Sequence, residues 1–112
     1  MDYAQYILEK TEELLAIDSP TGYTEEAANW VEKEFQALGY QTTRAVKGGV
    51  MIDLGGKDDK NAILLEAHAD ILGGMVAEIK SSGRLRMLPL GGMNPNNAEA
   101  ENVRIVSKFD GN

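Results

Sequence analysis

One histidine is present in the 112 residues, and its neighbours make it the first place to look for chemistry. It is His68, in the run Glu66-Ala67-His68-Ala69-Asp70. In an extended chain, residues two apart share a face, so Glu66, His68 and Asp70 can project together. A neutral imidazole is a common metal ligand, and a nearby carboxylate can fix its tautomer. The same residues also fit a plain alternative, a histidine in a turn flanked by two solvated acids. His-x-Asp by itself is a short pattern and leaves both readings open.

The other polar clusters point to structure rather than chemistry. Gly48-Gly49, Gly55-Gly56 and Gly91-Gly92 lack the GK[ST] or GxGxxG context of a phosphate loop and read as turns. Ser19 has no motif that marks a nucleophile, and capping or turn formation is the expected role. Asp58-Asp59 reads as a solvated turn. The acids of the first helix lack EF-hand spacing. Trp30 and Phe35 read as core.

The elements that must position His68 follow from the pattern. Ile7, Leu8, Leu14 and Leu15 recur near the 3.6 period and predict a helix over 3–16 with those side chains on its buried stripe. Asp18-Ser19-Pro20-Thr21-Gly22 breaks it. A second helix is expected from Thr24, whose hydroxyl is suited to cap it, with Ala27, Val31, Phe35 and Leu38 buried. Gly39 suits the left-handed stop. Strands are expected over 40–46 and 50–54. The apolar run 62–67 reads as a strand buried on both faces, with His68 at its carboxyl end, where ligands collect in open α/β sheets. After His68 the composition shifts to a small β module. A hairpin is expected from 75–79 and 84–88, and a strand over 102–108, with Asp110-Gly111 as a hairpin turn. A turn there predicts a return strand, so the sequence reads as stopping within a domain, and the open edge predicts dimers or larger species.

Composition narrows the partners. The 18 acidic and 11 basic residues give a net charge of −7, which argues against nucleic acid and against an anionic membrane surface. There is no cysteine, which removes disulfide scaffolds, zinc ribbons and thiol chemistry. No apolar run reaches membrane-spanning length and the N-terminus has no signal-peptide pattern, so the expected location is cytoplasmic.

The run Leu65-Glu66-Ala67-His68-Ala69-Asp70-Ile71-Leu72-Gly73-Gly74-Met75-Val76 resembles the first metal motif of the glutamyl and deblocking aminopeptidases. These are cytosolic metallopeptidases that build large tetrahedral homo-oligomers, and some once bore the name endoglucanase. Ser19-Pro20-Thr21-Gly22-Tyr23-Thr24-Glu25 resembles their early Ser-x-x-Gly loop. Gly83-Arg84-Leu85 and Pro89-Leu90-Gly91-Gly92 resemble the hairpin and Gly-Gly turn that open their dimerisation domain. The resemblance covers essentially the whole chain, in order.

It implies an α/β fold: residues 1–70 as the N-terminal part of a catalytic α/β domain, and 71–112 as the start of an inserted β-barrel dimerisation domain. It implies His68 as a ligand of one of two divalent metals, zinc or cobalt. It implies Asp70 as the catalytic-site carboxylate that orients the histidine without itself binding metal. The substrates would be peptides with a free amino terminus. Many members have Asp-Glu-Ile-Gly where this chain has Asp70-Ile71-Leu72-Gly73, a departure that bears on subgroup and substrate preference. The remaining ligands and the general base of the family lie downstream of residue 112. The expectation is therefore a portion of a dinuclear aminopeptidase that is inactive by itself. The alternative is a non-enzymatic, self-associating α/β module with at most one weak metal contact.

Overall fold

A computed structural model describes residues 2–108. The order is α1 (Tyr3–Leu15), α2 (Glu25–Ala37), β1 (Gln41–Arg44), β2 (Val50–Asp53), a short 3-10 turn η1 (Asp59–Asn61), β3 (Gly73–Ile79), β4 (Leu85–Leu90) and a second 3-10 turn η2 (Pro95–Ala98). The chain forms two compact units, one running to Ile71 and one beginning at Leu72. The architecture is small α/β: two helices and two two-stranded antiparallel sheets. No described helix is long and apolar enough to cross a membrane.

In the first unit, Asp2 starts α1. Its extended backbone lets Oδ1 accept from the N–H of Ala4 at 3.0 Å and of Gln5 at 3.4 Å. Thr24, expected to cap α2, makes no such bond. Its ψ of 6° is far from the extended geometry that turns a capping hydroxyl back on the first turn. Glu25 and Glu26 still complement the positive helix end. The C-terminus of α2 closes as the sequence predicts. Gly39 adopts φ 90°, Gly39 N–H donates to Gln36 O at 2.9 Å and Tyr40 N–H to Phe35 O at 3.0 Å. This is the paired 6→1 and 5→2 bonding of a Schellman motif, and it requires a left-handed residue at Gly39. The Phe35 and Tyr40 rings meet edge-on at 6.2 Å, the apolar contact that accompanies this stop.

The chain leaves this stop into β1, which pairs with β2 from Gln41↔Asp53 to Arg44↔Val50. The resulting hairpin packs on α2. Arg44 binds the two together: its guanidinium donates to Glu32 and Asn29 on α2, and to Gly48 O in the hairpin turn. Lys10 ties α1 to α2, with Nζ 2.9 Å from Glu34 Oε2 and 5.7 Å from the Trp30 ring centre.

The burial expected of the helices is only partly realised. Ala27 is buried, and Val31, Phe35 and Leu14 are half-buried. Ile7, Leu8, Leu15 and Leu38 are exposed, so the α1 stripe is amphipathic but meets little to pack on. The larger correction is at 62–67. This run forms no strand, and Ile63, Leu64 and Leu65 are 87%, 83% and 81% exposed. Continuous apolar sequence encodes burial on both faces, but a strand also needs a neighbour for its backbone groups. None of β1–β4 pairs with it.

Three adjacent exposed apolar side chains offer surface that a second copy of the chain could cover. We expect Leu64→Lys to raise the monomer fraction in sedimentation runs at high concentration. Because the side chain is solvated, stability should change by no more than about 0.5 kcal/mol. Unchanged association would show that contacts run through another surface.

Asp58 fixes η1. Oδ1 accepts from Lys60 N–H at 2.9 Å and Oδ2 from the Asn61 amide. The Asn61 side chain first, then the Lys60 N–H, holds the carboxyl below the ordinary aspartate range. A depressed pKa means that the turn is stabilised above the ordinary aspartate pKa. That stabilisation is lost as pH falls through the lowered native value. The Lys60 amide resonance should therefore titrate below the ordinary range, and should lose that transition in Asp58→Ala.

In the second unit, β3 and β4 form the expected hairpin, longer than the sequence pattern predicts. Pairing runs from Gly73↔Leu90 to Ile79↔Leu85. The register shifts between Val76 and Glu78, leaving Ala77 as a bulge. Glu78 and Arg86 are paired across the strands with a 3.0 Å ion pair. The expected strand over 102–108 is not formed; residues 101–107 carry no regular structure. Alternation supplies a face but not a partner for the ladder. The hairpin expected at Asp110-Gly111 lies outside the described residues.

Candidate metal-ligand site

The site is built where a loop and a later segment of the first unit meet. The loop is Ser19-Pro20-Thr21-Gly22, between the helices. Tyr23 N–H donates to Pro20 O at 2.8 Å, closing a β-turn with Thr21 and Gly22 at its centre. Gly22 has φ 90°, the positive value that the third position of a type II turn requires. The segment is Ala69-Asp70-Ile71. Pro20 and Ile71 form a parallel bridge, and Ile71 N–H donates to Ser19 O at 2.9 Å. Ser19 is 1% exposed, and its Oγ donates to Ala69 O at 3.0 Å. The backbone is thus pinned on both sides of Asp70.

Asp70 joins this loop to the histidine. Its Oδ2 accepts from Thr21 Oγ1 at 2.6 Å, and its Oδ1 lies 2.9 Å from His68 Nδ1. Nδ1 is also 3.1 Å from Asp70 O. The Thr21 hydroxyl first, then the imidazole, holds the Asp70 carboxyl below the ordinary aspartate range, so it is ionised at neutral pH. An ionised carboxylate and a backbone carbonyl only accept hydrogen bonds. Nδ1 must therefore carry the hydrogen, and in the neutral ring the lone pair then sits on Nε2. The His68 side chain is 86% exposed, whereas Asp70 is 36% exposed. The arrangement is that of an imidazole held from behind by a carboxylate, with its basic nitrogen available to a Lewis acid.

Of the three residues whose spacing allowed a common face, the structure brings together His68 and Asp70. Glu66 is exposed. Among the described residues no three His, Asp or Glu side chains converge on one point. The donor set thus fits one ligand position of a metal centre, not a complete one. Two participants were not legible. Thr21 carried no role beyond its place in the helix-breaking loop that resembles the family's Ser-x-x-Gly loop, and Ser19 was expected to act locally. Both instead reach residues 49 and 50 positions away. The available signal was a pair of hydroxyls in a loop that also breaks a helix. An open cleft beside the start of α2, lined by Tyr23, Glu25, Asn29 and Arg44 among others, includes neither His68 nor Asp70.

The sequence profile of the M42 glutamyl aminopeptidase family matches residues 48–111, more than half of the chain. The chain belongs to this family of aminopeptidases. Among curated relatives, it is 41% identical over 98 residues to the protein named "Putative aminopeptidase YhfE" of Bacillus subtilis (strain 168), a match covering 88% of this chain and 28% of that protein. It is 31% identical over 90 residues to the glutamyl aminopeptidase of Lactococcus lactis subsp. cremoris (strain MG1363), covering 80% of this chain and 25% of that protein. The chain thus spans about a quarter of the length of the curated relatives it matches.

Proposed function

We propose that these residues supply the first part of a dinuclear-metal aminopeptidase that hydrolyses N-terminal residues from peptides. Family membership supports the activity. The observation that carries the site is the 2.9 Å contact of His68 Nδ1 with Asp70 Oδ1, which leaves Nε2 to face a metal. In this reading His68 holds one of two divalent ions, zinc or cobalt, and Asp70 fixes the ring. When bound, two such ions would supply Lewis-acid chemistry: a place for the free amino terminus and a lowered pKa for the attacking water. This chain's own contribution is to hold one ligand in a single tautomer and orientation. Residues 1–70 act as the N-terminal part of the catalytic α/β domain, and 71–112 open a β-barrel dimerisation domain. In this reading the whole protein is cytoplasmic and works as a homo-oligomer.

One imidazole and its orienting carboxylate do not make a two-metal site, so the 112 residues by themselves are proposed to be inactive. The test is the intact mass of the product of the natural gene, together with its cobalt-loaded activity on short peptides. A mass well above 12.2 kDa, with N-terminal release that His68→Ala abolishes, is the expected result. Absence of metal-dependent release by the natural product would overturn the enzymatic reading. Robust release by pure 112-residue material would overturn the inactivity of the part.

A further inference from the structure

We propose that Thr21 is a positioning residue for the metal ligand: its hydroxyl holds one oxygen of Asp70 so that the other fixes His68 in the tautomer that can bind metal. The inference rests on His68 being a ligand. The geometry that carries it is the line Thr21 Oγ1, Asp70 Oδ2, Asp70 Oδ1, His68 Nδ1, with contacts of 2.6 Å and 2.9 Å at its ends.

A carboxylate anchored by one hydrogen bond can still swing about its terminal torsion, which is broad and roughly two-fold. An anchor on each oxygen removes that freedom. The backbone on either side is already fixed by Ser19 Oγ to Ala69 O and by Ile71 N–H to Ser19 O, and Asp70 O, 3.1 Å from Nδ1, favours the same tautomer as the carboxylate. What remains to be set is the side-chain torsion, and Thr21 is the residue in contact with it. The direction of the bond is settled too. An ionised carboxylate only accepts, so the Thr21 hydroxyl donates. Gly22 completes the device, since its φ of 90° permits the turn that presents Thr21 to Asp70.

A residue that merely fastened the loop would also touch residue 70, so the test needs a readout that fastening does not move. That readout is the imidazole nitrogen chemical shifts of His68, recorded at a pH where the ring is neutral. In the unaltered chain and in Thr21→Ser, the form with hydrogen on Nδ1 should dominate. In Thr21→Val it should give way to a mixture, and affinity for cobalt(II) ions should fall about tenfold, the lower end of the range for residues that support a ligand. Thr21→Ala repeats the comparison if valine disturbs the loop. Unchanged nitrogen shifts in both variants would overturn the proposal, including when stability falls. His68→Ala separates this from the parent reading. Equal cobalt binding with and without the imidazole would remove His68 as a ligand, while a tautomer change in Thr21→Val would still establish the role of Thr21 in setting the ring.

Discussion

If the proposed function holds, Asp70→Asn should lower metal-dependent peptide release by the natural gene product about 10- to 100-fold, even though the substitution is isosteric. The reason lies in what each oxygen of Asp70 meets. Oδ2 faces the Thr21 hydroxyl and Oδ1 faces Nδ1 of His68. Asparagine has one oxygen and one NH2 group. Whichever way it settles, one of the two neighbours loses its acceptor. If the oxygen stays with Thr21, the amide NH2 points at Nδ1. Nδ1 then keeps only the Asp70 backbone carbonyl, at 3.1 Å, as acceptor, and the form with hydrogen on Nε2, which blocks coordination, gains in population. If the oxygen stays with His68, the hydroxyl must turn and accept from the NH2, which replaces a charge-assisted bond with a neutral one of roughly half the strength. Loss of a carboxylate behind a metal-binding histidine costs about 10- to 100-fold in affinity or activity. Cobalt affinity measured beside peptide release checks the cause. A fall in turnover at saturating metal with unchanged affinity would place the effect elsewhere.

The same residues show how far the amino-acid sequence reaches. The pairing of His68 with Asp70 was legible because it is local: two residues apart, with complementary chemistry and a precise geometric consequence. The end of α2 was legible because Gly39 and the Phe35/Tyr40 pair encode a complete stop signal within six residues. The β3–β4 hairpin was legible from its alternation and its turn, although the Ala77 bulge was not. Residues 62–67 and 102–108 failed for a shared reason. Their apolar patterns encode which face is to be covered, and a strand also requires hydrogen-bond partners that pattern cannot specify. Thr21 and Ser19 were missed because their partners lie about fifty residues away, and a pair of hydroxyls in a helix-breaking loop does not say which distant segment they will meet. The long-range half of the site therefore appears only once the fold brings residues 19–21 to residues 69–71.

Ser19→Ala should destabilise the first unit by about 1–3 kcal/mol, with little change in the urea m-value. Ser19 is the most buried polar residue described, at 1% exposure, and its hydroxyl donates to the Ala69 carbonyl at 3.0 Å. Alanine fits the space. It offers no donor, and the carbonyl sits at a half-buried position where it loses a partner that water replaces poorly. The apolar gain from exchanging a buried hydroxyl for hydrogen works in the opposite direction. It is the smaller effect here, because a half-buried carbonyl that loses its donor regains its solvation only in part. Against a typical net stability of about 5–15 kcal/mol, such a loss is large for a unit whose fully buried apolar core is Ala27 among the described residues. The consequence for the site follows directly. Ser19 fastens the backbone before Asp70 and Ile71 N–H fastens it after, so weakening the first contact releases the carboxylate that holds His68. Hydrogen exchange at the Ile71 amide should rise in Ser19→Ala more than at the β1–β2 pair. A urea midpoint equal to that of the unaltered chain would show that the serine contact contributes nothing to holding the loop in place.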